Sequence, residues 1–84
     1  MYQVIVTKTA EKQLDKIPNN YYILITTKLK KLVFDPRPSG CKKLVGYEHI
    51  YRIRVGSYRV IYTIDDNILI VEVIKVGTRQ SVYD

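Results

Sequence analysis

The sequence contains one cysteine, one histidine and no tryptophan among its 84 residues. Its single cysteine, Cys41, cannot form an internal disulfide, and it excludes the zinc sites that need two or more cysteines. No apolar run approaches the ~20 residues of a membrane span, and the first residues lack the pattern of a signal peptide. We therefore expect one small cytoplasmic domain over residues 1–84, with no membrane partner.

The motifs of common hydrolases and nucleotide-binding proteins are also missing. The four glycines are too scattered for a phosphate-binding loop, and no acidic cluster predicts a metal site. Ser57, His49 and Asp65 come nearest to a hydrolytic triad, but nothing in the pattern brings them together. Glu48 and His49 are an acid and a base by type, yet we interpret them as part of a surface loop. No cofactor and no metal are expected.

The charge balance is strongly basic. The formal net charge is +6, from 14 Lys and Arg residues against 8 Asp and Glu residues. A small domain with this charge favours nucleic acid, an acidic membrane surface or an acidic protein as its partner, and charge alone does not choose among them.

The most informative stretch is residues 51–62, which predicts a β-hairpin. Apolar and polar residues alternate on both sides of Gly56-Ser57, as in two half-buried strands joined by a type II′ turn. This register places Arg54 opposite Arg59, with Arg52 on the same face. Like charges directly across a strand pair are destabilising, so the arrangement predicts a face that binds a polyanion.

The segment before the hairpin predicts a strand and two helices. Residues 2–7 are rich in β-branched residues, as an initial strand would be. Thr7 or Thr9 can cap a first helix that Pro18 ends. Asn19 or Asn20 can cap a second helix that runs to about Phe34. The apolar helical positions are Ala10, Leu14, Ile17, Ile25, Leu29, Leu32 and Val33.

The segment after the hairpin predicts a final strand over residues 68–76. A turn at Asp66-Asn67 would place Leu69, Val71 and Val73 behind the apolar residues Val60, Tyr62 and Ile64 of the hairpin. The opposite face, partly apolar and partly charged, would then hold Arg52, Arg54, Arg59, Ile61, Glu72 and Ile74. The element order β-α-α-β-β-β then predicts an α+β fold, in which two N-terminal helices cover one face of an antiparallel sheet.

Arginine, lysine and tyrosine are the remaining candidates for function. Arginine presents a planar fork that suits phosphate oxygens, but it is a poor general base. Lys42 and Lys43 precede the hairpin and are candidate phosphate contacts, or simply a solvated loop. Tyr58 borders the turn and can stack on a base, whereas Tyr51 and Tyr62 are predicted cross-strand neighbours in the core.

Three segments of the sequence carry a resemblance to a known family. The hairpin Arg52-Ile53-Arg54-Val55-Gly56-Ser57-Tyr58-Arg59-Val60-Ile61-Tyr62 is followed by Val76-Gly77-Thr78-Arg79 and Val82-Tyr83. This pattern resembles the RelE/ParE superfamily of type II toxins over essentially the whole chain. In the RelE branch, the resemblance implies a ribosome-dependent endoribonuclease that cleaves mRNA in the ribosomal A site without a metal, through attack of the RNA 2′-hydroxyl.

The resemblance also implies site residues and partners. By position, the catalytic residues would be Arg52, Arg54, Arg59, Arg79 and Tyr83. The implied partners are the ribosome with its mRNA and a cognate antitoxin, acidic or partly disordered, that wraps the basic face in a higher-order complex.

Two departures from the family pattern leave the general base unassigned. Arg52 and Arg54 stand where some active relatives carry lysines, which lose a proton more readily. Thr78 stands where many relatives have histidine. Proton transfer would then fall to Tyr83 or to a ribosomal group. Two alternatives stay open: a ParE-like inhibitor of DNA gyrase, and a catalytically weakened relative that only binds RNA or antitoxin.

Overall fold

The chain folds into a five-stranded sheet with two main helices, and the computed structural model describes residues 1–82. The elements in chain order are β1 (Gln3–Val6), α1 (Lys8–Asp15), α2 (Asn19–Lys31), β2 (Lys42–Lys43), β3 (Ile50–Val55), β4 (Tyr58–Asp65), β5 (Ile70–Thr78) and α3 (Arg79–Val82). Within the described part of the chain, no helix is long and apolar enough to cross a membrane.

The strand order across the sheet is β1-β5-β4-β3-β2. The predicted α+β class is confirmed, as are the strand, two helices and three strands on which it was based. The sheet is mixed, however, because β1 pairs in parallel with β5 while the other pairs are antiparallel. The prediction of a wholly antiparallel sheet was wrong on this point, since local pattern does not determine which edge the first strand joins. The short elements β2 and α3 were also not predicted.

The cap predicted for the first helix is present, whereas the cap and the end predicted for the second helix are not. Thr7 caps α1, and its hydroxyl accepts a hydrogen bond of 3.2 Å from the backbone N–H of Ala10. The predicted asparagine cap of α2 was wrong: Pro18 occupies the N-cap position, and Asn19 is already helical. Proline suits this place because its fixed φ and missing N–H cost little before the first helical turn. The helix ends at Lys31, not near Phe34.

The core lies between the two helices and one face of the sheet. The apolar stripes predicted for the helices supply Ala10 and Leu14 from α1, and Ile25, Leu29 and Leu32 from α2 and its C-cap, all buried. The strands supply Ile53, Val55, Val60, Tyr62, Ile64, Val71, Val73 and Val76. Because residues alternate along each strand, the opposite face of the sheet is not covered by these helices.

The predicted hairpin is confirmed in its register. Arg54 pairs with Arg59, and Arg52 pairs with Ile61. Gly56 has a φ of 61°, and Leu69 is the one non-glycine residue with a positive φ in the described chain, so Ser57 has a negative φ as a type II′ turn requires. The Tyr21 ring of α2 lies against Gly56, where an added Cβ would be 2.6 Å from a ring carbon. The turn is therefore held against α2.

The register between β4 and β5 differs from the prediction by two residues. Asp65 pairs with Ile70 because the connecting turn is longer than Asp66-Asn67. Leu69 therefore lies in the turn, with a φ of 55° and 42% of its surface exposed, and not in the core. A shift of two residues keeps the faces of a strand, so Val71 and Val73 point to the core as predicted.

A β-bulge interrupts β5 farther along. Ile61 pairs with Lys75 and the next residue, Tyr62, pairs with Val73, which leaves Ile74 as the extra residue. Alternation from the buried Val73 still places Ile74 on the face that carries the arginines, as predicted, but Lys75 and not Ile74 is the direct partner of Ile61 there. Beyond the bulge, the backbone N–H of Val76 donates to Oε1 of Gln13 over 2.7 Å. This bond ties α1 to the bulged strand.

Candidate anion-binding site

The open face of the sheet carries three arginines on two neighbouring strands. Arg54 is exposed on β3 and stands directly opposite Arg59 on β4, where paired Cα atoms are about 4.5 to 5.5 Å apart. Arg52, two residues from Arg54 on the same face, is 6% exposed, and Arg59 is 8% exposed. These three residues form what we call the arginine face. Its alternation follows from the strand period of two, as the sequence predicted.

The position of Arg59 is set by its two neighbouring strands. On one side it faces Arg54, and on the other it faces Gly77 of β5. Because Gly77 has no side chain, the long Arg59 side chain meets no bulk there and can lie low across the sheet. Aliphatic stems of arginine are commonly buried in this way while the charged head stays near solvent. The site thus holds one guanidinium in a more fixed position than a surface arginine has.

Arg79 lies at the same end of the sheet as the hairpin tip. It begins α3 directly after Thr78, which pairs with Tyr58, and it shares an open hollow with Ser57, Thr78 and Gln80. The structure therefore places Arg79 two residues beyond Gly77, the neighbour of Arg59. Tyr83, the fifth predicted catalytic residue, lies outside the described residues.

A groove adjoins the arginine face at the edge of β3, where β2 pairs only with Tyr51 and Arg52 and leaves the rest of the strand edge open. Its volume is about 370 Å³, and β3 lines it with Arg52, Ile53 and Arg54. The other wall comes from α2, from the loop before β2 and from β2 itself, through Lys28, Lys31, Pro38, Ser39, Gly40 and Lys42. We call this feature the basic groove, because five of its lining residues are cationic and none is acidic.

The three predicted RNA-binding residues are not all brought to this place. Lys42 lines the basic groove, whereas its strand neighbour Lys43 does not. Tyr58 lies on the core side of the sheet, half-buried, with its ring centroid 5.0 Å from that of Tyr21. This packing supports the hairpin tip and gives Tyr58 a structural role. Sequence reasoning missed Lys28 and Lys31, although their i, i+3 spacing on a helix would have placed them on one face.

His49, Asp65 and Asp66 lie at the open end of the hairpin, away from its tip at Gly56-Ser57. The backbone carbonyl of His49 accepts from the N–H of Ile64, and Ser57 is at the opposite end of the same strands. His49 and Arg54 are five residues apart along nearly extended chain, or about 17 Å at 3.3 Å per residue. The triad of Ser57, His49 and Asp65 is therefore not assembled. His49 pairs instead with Glu48 at 3.8 Å, and both are largely exposed.

A polar network braces the open end of the hairpin, and the sequence did not predict it. Arg37 donates two hydrogen bonds to the Asp66 carboxylate, at 3.2 and 2.8 Å, and one of 3.2 Å to the Tyr51 hydroxyl. The Tyr2 hydroxyl donates to the same carboxylate at 2.5 Å. The bonds from Arg37 and then Tyr2 lower the pKa of Asp66 to about 2. The network joins the residue before β1, the loop before β2, β3 and the turn after β4.

The buried Tyr62 hydroxyl holds the same loop from below. It donates to the Pro36 carbonyl at 2.8 Å and lies 3.2 Å from Sγ of Cys41. Burial, followed by the contact with Cys41, raises the pKa of Tyr62. Tyr51 and Tyr62 are stacked with centroids 6.1 Å apart, which confirms the predicted cross-strand pair. Cys41 is thus a half-buried packing partner.

Comparison with known proteins agrees with this architecture. The family model described as the ParE toxin of type II toxin-antitoxin systems matches residues 4–83. The chain belongs to this toxin family. The resemblance to the RelE/ParE superfamily is therefore confirmed.

Individual relatives carry the RelE name. Toxin RelE3 of Methanocaldococcus jannaschii is 30% identical over 98% of this chain and 96% of its own length. Toxin RelE of Mycobacterium tuberculosis is 31% identical over 98% of this chain and 86% of its own length. The RelE-RelB complex of the archaeon Pyrococcus horikoshii contains a chain with a TM-score of 0.84 and 29% identity, over 93% of this chain and 94% of that one.

Proposed function

We propose that this protein is the toxin of a type II toxin-antitoxin pair, and that it cleaves mRNA held by the ribosome in the cytoplasm without a metal. The observation that carries the proposal is the arginine face: two directly opposed arginines and a buried third, at a cost in stability that folding does not require. The RelE names of the relatives support the ribonuclease reading over other activities of the family.

The proposed reaction is an attack by the RNA 2′-hydroxyl on the adjacent phosphate. The 2′-oxygen forms a bond to phosphorus, the bond from phosphorus to the 5′-oxygen breaks, and that oxygen leaves with a proton. Negative charge builds on the phosphate oxygens as this happens. Arg54, Arg59 and Arg79 would stabilise that charge, and Arg52 would help to bind the scissile nucleotide.

Proton transfer needs a group other than arginine. No histidine lies near the arginine face among the described residues, and Thr78 directly precedes Arg79. We propose that Tyr83 or a ribosomal group moves the protons, while the arginines supply electrostatic stabilisation. Because the nucleophile is the 2′-hydroxyl, DNA of the same sequence should not be cut.

We also propose a cognate antitoxin that covers the basic surface. The net charge of +6 favours an acidic partner, and burial of additional surface would stabilise a domain of only 84 residues. The P. horikoshii relative is described in complex with RelB. A short neighbouring reading frame that encodes an acidic protein is the expected genetic setting.

The decisive experiment is an mRNA cleavage assay on translating ribosomes. The wild-type protein should cut within codons at the A site, and Arg79→Ala should reduce the cleavage rate by about 10²- to 10³-fold, the usual cost of one transition-state charge contact. Arg79 is exposed, so the variant should remain folded. Lys12→Ala, an exposed lysine on α1, is the matched control and should retain activity. Growth arrest with intact mRNA would overturn the proposal.

The ParE description of the family model favours a second candidate, a gyrase inhibitor that acts by binding protein. DNA damage signalling with unaltered mRNA after induction would select this alternative. A third candidate is a relative that binds ribosomes without cleaving mRNA at any pH. The same set of assays separates all three.

A further inference from the structure

The basic groove concentrates positive charge, and nothing in the packing of the fold requires this. Five cationic side chains converge on a volume of about 370 Å³, and no acidic residue lines it. Three of them, Lys28, Lys31 and Lys42, come from outside the hairpin, so the groove joins separate parts of the chain. Like charges brought together repel one another unless an anion is bound between them.

Arg52 is the lining residue of the basic groove whose environment favours a bound anion most directly. It lines the basic groove and is only 6% exposed, yet no hydrogen bond or ion pair joins its side chain to any other described residue. No buried side-chain nitrogen among the described residues lacks a hydrogen-bond partner, so the guanidinium nitrogens of Arg52 are accessible while its aliphatic stem is covered. The groove therefore has one arginine with a buried stem, whose charged end can donate to an anion, as well as surface lysines.

The basic groove continues the line of cationic residues that crosses the arginine face. Arg79 follows β5, Arg59 lies on β4, and Arg54 lies on β3, so cationic residues succeed one another across three adjacent strands about 4.8 Å apart. Arg54 belongs to both features, because it faces Arg59 and also lines the basic groove. A chain with regularly spaced negative charges that crosses the arginine face would enter the groove at the β3 edge.

Nucleic acid suits the groove better than an acidic protein segment. Protein interfaces are built on apolar anchors and contain little lysine at their centre, whereas nucleic-acid interfaces are far more positively charged. Here lysine and arginine supply five of nine lining residues, and Ile53 and Pro38 are the apolar ones.

We propose that the basic groove binds the phosphate backbone of a single-stranded RNA segment adjoining the nucleotides on the arginine face, with Lys28 and Lys31 of α2 as phosphate contacts. This inference rests on the proposed RNA substrate. It assigns α2 a part in substrate binding beyond its part in the core.

The test measures RNA binding as a function of salt. The probe is a labelled single-stranded oligouridine about ten nucleotides long, within the footprint of single-strand-binding surfaces. In Lys28→Gln/Lys31→Gln, the slope of log K against log salt should decrease in magnitude by about 1.4, which is two phosphate contacts at about 0.7 each. Lys28→Arg/Lys31→Arg should restore binding. Lys12→Gln/Lys30→Gln, which removes two exposed helical lysines outside the groove, should leave the slope nearly unchanged.

Other outcomes would overturn the inference. An unchanged slope in the groove variant, or an equal loss in the control, would show that these lysines make no specific phosphate contact. If a glutamate oligomer of the same charge lost as much affinity as the RNA, the groove would be a site for acidic protein. Cleavage of mRNA on ribosomes by the wild-type protein is measured in parallel and tests the proposed function separately. This activity does not depend on the salt slope of oligouridine binding, so each result can fail without the other.

Discussion

Arg54 and Arg59 are direct partners in the antiparallel pair of β3 and β4, so two guanidinium groups occupy opposing positions on one face of the sheet. Replacing Arg54 with glutamine should therefore stabilise the free protein by about 0.2 to 1 kcal/mol while it reduces RNA cleavage. Urea unfolding at low and high salt measures the first effect. The gain should shrink near 1 M salt, where the screening length is about 3 Å.

Arg54 is exposed, so loss of packing does not obscure this comparison. Lys30→Gln removes one positive charge from the surface of α2 and serves as the control. A clear loss of stability in Arg54→Gln, with no gain at low salt, would mean that the opposed arginines do not repel each other in the folded protein.

The contact between Gly56 and Tyr21 predicts an unusually sensitive glycine. An alanine at position 56 would need a φ of 61° and would bring its Cβ to 2.6 Å from the Tyr21 ring. We expect Gly56→Ala to destabilise the protein by about 1 to 3 kcal/mol. Gly46 also has a positive φ, 86°, but no atom lies within 4 Å of its added Cβ. Gly46→Ala should therefore cost less, and equal values in thermal or urea unfolding would contradict the proposed steric cause.

Asp66 should make stability depend on pH in the acid range. Its pKa is lowered to about 2 in the folded protein, from an ordinary value of 3.8. A carboxylate with a lowered folded pKa contributes stability that is present above pH 3.8 and is lost as pH falls toward 2. The free energy of unfolding should decline more steeply over this range in the wild type than in Asp66→Asn. Asp15→Asn, at the exposed end of α1, is the control, and its free energy of unfolding should decline with falling pH as steeply as that of the wild type.

The Tyr62 hydroxyl should contribute to stability through the loop that precedes β2. It donates to the Pro36 carbonyl, and Pro36 is buried, so Tyr62→Phe leaves that acceptor without its protein partner. We expect a loss of about 1 to 3 kcal/mol in urea unfolding. Tyr51→Phe removes a hydroxyl that only accepts from the exposed Arg37, and it should cost less. A larger loss of unfolding free energy in Tyr51→Phe than in Tyr62→Phe would contradict the stabilising role given to the Tyr62 hydroxyl.

Local chemistry explains why the hairpin could be predicted in detail. A glycine in a two-residue turn sets the register of both strands, and alternation then assigns Arg52, Arg54 and Arg59 to one face. The turn after β4 contains no such signal, because Leu69 adopts a positive φ that its residue type does not predict. The register of β5 was consequently displaced by two residues, although Val71 and Val73 kept their faces.

Contacts between distant segments could not be predicted in the same way. The parallel pairing of β1 with β5 and the Arg37–Asp66 bonds join segments whose local sequences carry no mark of each other. The basic groove is a further example. Lys28 and Lys31 belong to a helix whose sequence accounts for them as solvated charges, and only the packing of α2 beside β3 turns them toward Arg52.

The sequence by itself therefore determined the α+β class, the hairpin and the arginine face, since turn chemistry and strand alternation act over a few residues. Tertiary structure alone decided the order of the strands, the bulge at Ile74 and the basic groove. These depend on which surfaces bury the most apolar area together, a property of the whole chain. The predicted arginines mark the site, and the packing of α2 beside β3 forms the groove that adjoins them.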